Sequence, residues 1–181
     1  MTIGLTLLII TAILGLLVIL IYNSLIQLAN RTNEAWADID VQLRRRYDLI
    51  PNLINLVKVY AKHEKTVFED ISKARAEALK ANTVHDKESA DNLVRVALGK
   101  LIAIAEDYPQ LRASRNFTQL QDELTDTENM IALSRRFYNG NVRDLNTKIE
   151  TFPNNLIAKL FNFQNREYFQ MEEEADRCSN Y

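Results

Sequence analysis

A chain of 181 residues with a net charge of −2 holds one domain of moderate size and offers no basic excess for nucleic acid. Four glycines and three prolines leave few places to break a helix, and a single cysteine, Cys178, excludes an internal disulfide. The charge is unevenly placed, because no Asp, Glu, Lys or Arg precedes Arg31.

The run from Ile3 to Tyr22 reads IGLTLLIITAILGLLVILIY. About 20 apolar residues is the length at which a helix crosses a bilayer core. Gly4, Thr6, Thr11 and Gly15 are the softer positions, and membrane helices tolerate all four. A cleaved signal peptide would need a basic start, a shorter core and a small-residue cleavage site, and none is visible. No cysteine near the start suggests a lipid anchor. Residues 1–22 are therefore read as a transmembrane anchor. Within it, Thr11 and Gly15 form a small-xxx-small pair, a candidate contact between membrane helices that also arises often by chance. Arg31, followed by Arg44, Arg45 and Arg46, favours a cytoplasmic domain with the N-terminus outside, although the triplet lies at the edge of the window that the rule counts.

After the anchor, Leu25, Leu28, Thr32, Ala35, Ile39, Leu43 and Ile50 recur at steps of three and four, with Trp36 beside them. Nothing breaks a helix between Gly15 and Pro51, so the anchor is expected to run straight into the first helix of the domain. Pro51 suits the first turn of a second helix, with Asp48 as a nearby cap. That helix would carry Leu53, Val57, Tyr60, Glu64, Val67, Ile71, Ala74 and Ala78. The polar stretch 81–88 reads as a loop. A third helix would bury Leu93, Val96, Ala97, Leu101, Ile104, Ala105 and Tyr108, with Pro109 closing it. The fourth shows the clearest heptad: Phe117, Leu120, Leu124, Thr127, Ile131, Arg135, Tyr138, Val142, Leu145, Ile149 and Phe152, ended by Pro153. A short amphipathic piece follows, with Leu156, Ile157, Leu160, Phe161, Phe163, Tyr168 and Phe169.

Four long amphipathic helices on short connections predict an all-α fold. The anchor helix would continue into an antiparallel four-helix bundle with a short C-terminal amphipathic helix. The 3.5-residue spacing implies coiled-coil packing with a left-handed superhelix. The expected division is an anchor over 1–22, a bundle over 23–170 and an acidic, disordered tail over 171–181.

Little in this pattern points to chemistry. Neither His63 nor His85 stands in a metal-binding motif. The residues three before them are Tyr60 and Asn82, so the Glu-x-x-His of a di-iron bundle cannot be built. His63 is expected on a solvated face. Cys178 in a polar tail has no positioned base. No glycine-rich phosphate loop is present. Acid pairs such as Asp38/Asp40 and Glu123/Asp126 read as solvated charges. Catalytic residues, metal ligands, cofactors and a small-molecule substrate are all expected to be absent. Arg44, Arg45 and Arg46 are a candidate contact for an acidic partner; the plainer reading is a solvated helix end. Phe161, Phe163 and Phe169 are a second candidate contact. Trp36 and Tyr47 read as core.

The stretch Glu34-Ala35-Trp36, then Ile39-Asp40-Val41-Gln42-Leu43-Arg44-Arg45-Arg46-Tyr47-Asp48-Leu49-Ile50-Pro51-Asn52-Leu53, resembles the signature of the LemA family. So do Tyr60-Ala61-Lys62-His63-Glu64, Asn116-Phe117 with Leu120-Gln121, Thr127-Glu128-Asn129, Phe152-Pro153 and Tyr168-Phe169. These matches fall in order over residues 20–170. The resemblance implies a bacterial single-pass membrane protein with a cytoplasmic helical bundle and its N-terminus outside the cell membrane. It implies no enzyme and carries no catalytic residues. Genes of the family often neighbour a membrane zinc protease, which hints at envelope maintenance. Tyr47 departs from the family's usual His.

The expected function is a membrane-anchored scaffold whose copies self-associate beside the bilayer. The alternative is a monomeric adaptor that recruits a membrane protease or transporter through an exposed helix face.

Overall fold

The lack of helix breakers between Gly15 and Pro51 has its consequence in α1, which runs without interruption over Thr2–Tyr60. The computed structural model describes residues 2–169, and every regular element in them is helical. Five more helices follow: α2 (Lys65–Ala78), α3 (Val84–Glu106), α4 (Pro109–Arg112), α5 (Arg115–Glu150) and α6 (Asn154–Leu160). The expected tail over 171–181, including Cys178, lies outside the described residues.

Pro51 does not start a helix; it lies inside α1. A proline there removes the N–H that would bond the carbonyl four residues earlier, leaving the oxygen of Tyr47 without its helical partner. Arg75 of α2 supplies the replacement: its Nε donates to the Tyr47 carbonyl oxygen at 2.7 Å. The same guanidinium reaches the Asp48 carboxylate at 3.5 Å. α1 thus passes through Pro51 with its carbonyl satisfied from another helix, and ends only at Tyr60.

The polar stretch expected as a loop is mostly helix. Thr83 caps α3, its Oγ1 accepting from the Asp86 backbone N–H at 3.0 Å. Asp86 also places a carboxylate in the positive first turn. The buried face of α3 includes Ala90, Asp91, Val94, Leu98 and Leu101. Leu93 and Val96, expected inside, are exposed. α3 ends at Glu106, two residues before the expected Tyr108, and Pro109 then begins α4 at a first-turn position.

The chain divides into two compact units, Met1–Ala37 with Arg136–Tyr168 and Asp38–Arg135 with Phe169–Tyr181, taken over their described residues. In the first, Leu25, Thr32 and Ala35 of α1 and Tyr138, Val142, Leu145 and Asn146 of α5 are buried. The Trp36 and Tyr138 rings lie 5.5 Å apart. The segment after α6 is pinned through its backbone. Asn146 acts as a peptide would, donating to the Arg166 carbonyl oxygen and accepting from the Arg166 N–H, each at 2.9 Å. The Tyr138 hydroxyl donates to the Glu167 carbonyl oxygen at 2.9 Å. Phe152, expected to end the buried stripe of α5, is exposed instead.

In the second unit the buried side chains include Ile39, Leu43, Ile50, Leu53 and Val57 of α1, Ile71 of α2, Leu101 of α3, Leu111 of α4, and Phe117, Leu124 and Ile131 of α5. Thr127 is buried with them, and its hydroxyl donates to the Glu123 carbonyl oxygen at 2.6 Å, one turn back along the same helix.

Candidate functional site

Two features of the chain stand apart from ordinary packing. One is the start of α1, where the side chains of the apolar run are almost all exposed. An apolar surface of this length on a helix has the composition of a membrane span. Thr11 and Gly15 lie on it and are exposed. The Thr11 hydroxyl donates back to the Leu8 carbonyl oxygen at 2.9 Å, so it makes no demand on the surroundings. A Cβ added at Gly15 would meet nothing within 4 Å, which leaves room for a close neighbour.

The other is a cluster of buried charge in the second unit. The three arginines of the triplet part company there. Arg44 and Arg45 are exposed, and Arg44 donates to Asp40 at 3.0 Å along one helical turn. Arg46 is 1% exposed. It pairs with Asp91 of α3, and its Nη1 donates to the Glu128 carboxylate of α5 at 2.6 Å. Asp91 in turn pairs with Arg135 of α5. Two guanidiniums and two carboxylates therefore alternate across three helices. The triplet is not at a helix end, since α1 continues for more than three turns past it.

The electrostatics follow from burial. Desolvation pulls the Arg46 guanidinium down from its usual value, and the Glu128 charge pulls it back part of the way. Arg135 is lowered for the same reason, again with Glu128 opposing. Burial pushes the Tyr47 phenol up from its ordinary value, against the pull of Arg46 and Arg135. A second pair lies beside the cluster, where Lys87 of α3 meets Asp40 of α1. Burial would raise the Asp40 carboxyl, but Lys87 and Arg44 more than offset this and hold it below the usual carboxylate range.

The aromatic candidates also separate. Phe169 is buried and lies 4.7 Å from the Arg135 guanidinium, as a cation–π lid over one corner of the cluster. Phe161 and Phe163 lie in the first unit against Tyr22, with ring centroids 4.7 and 6.0 Å away. His63 and His85 are both exposed, His63 in a turn rather than on a helix face. Among the described residues, no three of His, Cys, Asp and Glu converge as metal ligands.

Asp91 escaped the sequence reading, although one signal marks it. It interrupts an apolar face that recurs at Ala90, Val94, Ala97 and Leu101. Arg135 did fall on the apolar stripe of α5, and a charge on such a stripe announces a buried partner. The identity of that partner, 44 residues away, carries no local sign.

An all-α chain whose first helix begins as an apolar stretch of membrane-spanning length defines a class of helical proteins with an N-terminal candidate span. The model of the LemA family matches residues 35–180. The chain belongs to the LemA family. It is similar to Magnetosome protein MamQ 1 of Paramagnetospirillum magneticum, at 25% identity over 181 residues, covering 86% of this chain and 66% of that relative. Magnetosome protein MamQ of Magnetospirillum gryphiswaldense is 24% identical with the same coverage. Protein LemA of Metamycoplasma hominis is 27% identical over 154 residues, covering 83% of this chain and 69% of the relative. The chain thus spans about two thirds, 66%, of the length of its magnetosome relatives.

Proposed function

We propose that the chain is a non-enzymatic scaffold of the bacterial cell membrane, in which residues 1–22 cross the bilayer once with the N-terminus outside. In this reading α1, α2, α3 and α5 form an antiparallel four-helix bundle in the cytoplasm, and copies of the chain associate side by side. The role is structural upkeep of the envelope. The observation that carries it is the continuity of α1, a single 59-residue helix that holds both the apolar stretch and buried core positions. The exposed, small-residue surface at Thr11 and Gly15 supports lateral association. Confinement to a plane would raise the effective concentration for such weak contacts.

The mass of the full-length protein in mild detergent tests this reading. A uniform oligomer is expected, with residues 31–181 alone mostly monomeric. A monomeric full-length chain would remove the scaffold and leave the adaptor that recruits another membrane protein.

A further inference from the structure

α6 ends in a way that fixes where it lies. Asn162 takes a left-handed backbone with φ of 57°. The Phe163 N–H donates to the Ala158 carbonyl at 2.9 Å and the Asn162 N–H to the Lys159 carbonyl at 3.2 Å. This pair of bonds is the Schellman cap, and asparagine accepts the left-handed position more readily than most residues. The chain reverses there, and Phe161 and Phe163, on either side of the reversal, both meet the Tyr22 ring. Tyr22 is the last residue of the apolar run that begins at Ile3. A tyrosine at that point of a membrane helix sits at headgroup depth. The two rings therefore hold α6 at the level where the span leaves the bilayer.

The apolar side chains of α6 find little protein to cover them. Ala158 is its one buried residue. Leu156 and Leu160, one turn apart, are 58% and 72% exposed, and Phe152 in the preceding turn is 74% exposed. Seven residues are too few to persist as a helix by propensity alone. The single charge in α6 is Lys159, a cation of the kind that favours anionic headgroups.

We propose that α6, with Phe152, is a membrane-surface segment. Phe152, Leu156 and Leu160 enter the headgroup boundary of the bilayer that α1 crosses, and Lys159 faces anionic lipid. Lipid, rather than a second copy, is the occupant because the patch continues through Tyr22 into the surface of the span, which lipid covers. The inference rests on the reading that α1 crosses a bilayer.

Depth-resolved quenching tests it on the full chain. Cys178→Ser removes the native thiol. Leu160→Cys or Leu14→Cys then carries an environment-sensitive fluorophore, and the protein is placed in vesicles of phosphatidylcholine and phosphatidylglycerol. Nitroxide lipids labelled high or midway along the acyl chain serve as quenchers. Stronger quenching of the Leu160 probe by the high label, with the Leu14 probe quenched by the midway label, is the expected result. Quenching at Leu14 but not at Leu160 overturns this inference and leaves the span intact. A blue-shifted but unquenched Leu160 probe means a protein contact, and also overturns it. Quenching at neither position removes the span and the inference together.

Discussion

Arg46 lies between Arg45 and Tyr47 on a helix whose neighbouring arginines are solvated, yet it is buried, paired with the buried Asp91 and the half-exposed Glu128. Its chain position explains this. Leu43, Arg46, Tyr47 and Ile50 follow steps of three, one and three, which is the buried face of α1, whereas Arg44 and Arg45 fall outside it. Burying such charges costs solvation that their mutual attraction only partly returns, so the cluster is a weak source of net stability but a strong source of sensitivity. Asp91→Ala would leave two guanidiniums facing one half-exposed carboxylate. We expect it to cost about 3–5 kcal/mol, read from urea unfolding. Adding Arg46→Met should recover part of that loss; purely additive losses would mean the two side chains do not act as a pair. The Asp40–Lys87 pair makes a prediction about pH. Asp40 is held below its ordinary value, so it adds stability above about pH 4 that is lost as the pH falls through its lowered folded value. Lys87→Met should therefore raise the acid-unfolding midpoint. The difference from the native chain should shrink once the carboxyl is protonated in both.

At the scale of elements, α1 and α5 show two kinds of legibility. Continuity of α1 through Tyr22 and Glu34 was readable because it needs only the absence of glycine and proline. The passage through Pro51 was not, because the group that makes it tolerable, Arg75, is 24 residues later and on another helix. Local rules place proline at a helix start, and a side chain from afar overrode them. The cap at Thr83 was readable in principle: Thr83 and Asp86 stand three apart before a long helix, and polarity hid them as a loop. Leu93 and Val96 misled for another reason, since α3 buries the face of Ala90, Val94, Ala97, Leu98 and Leu101 and leaves these two apolar side chains exposed on another. Leu124 and Ile131 of α5 were expected inside and are buried. Arg75→Leu should cost about 1–3 kcal/mol, the penalty of an unsatisfied buried carbonyl. In a Pro51→Ala background the restored N–H bonds the Tyr47 oxygen, so the same substitution should cost clearly less. Equal costs in thermal melts of the two backgrounds would refute the replacement.

Across the whole molecule, what could be read ahead was whatever repeats along one helix, and what could not was whatever joins helices. The apolar stretch, the all-α class and the family resemblance rest on consecutive residues. The alternation of Arg46, Asp91, Arg135 and Glu128 assembles from three helices. Asn146, which reads as an ordinary polar residue in α5, pins the segment after α6 through two bonds to the Arg166 backbone.

The unbroken course of α1 also turns rotation into a property of its apolar stretch. Tyr22 and Trp36 are clasped by Phe161 and Tyr138, so the helix cannot spin about its axis, and every upstream side chain inherits a compass bearing from those rings. Inserting one residue between Leu17 and Val18 would swing Thr11 and Gly15 by about 100° while moving them only about 1.5 Å along the axis. If copies meet through that bearing, a disulfide between Gly15→Cys copies should form in the otherwise Cys178→Ser chain and fail after the insertion. An unchanged yield would mean that the heading of the apolar stretch is irrelevant to how copies meet.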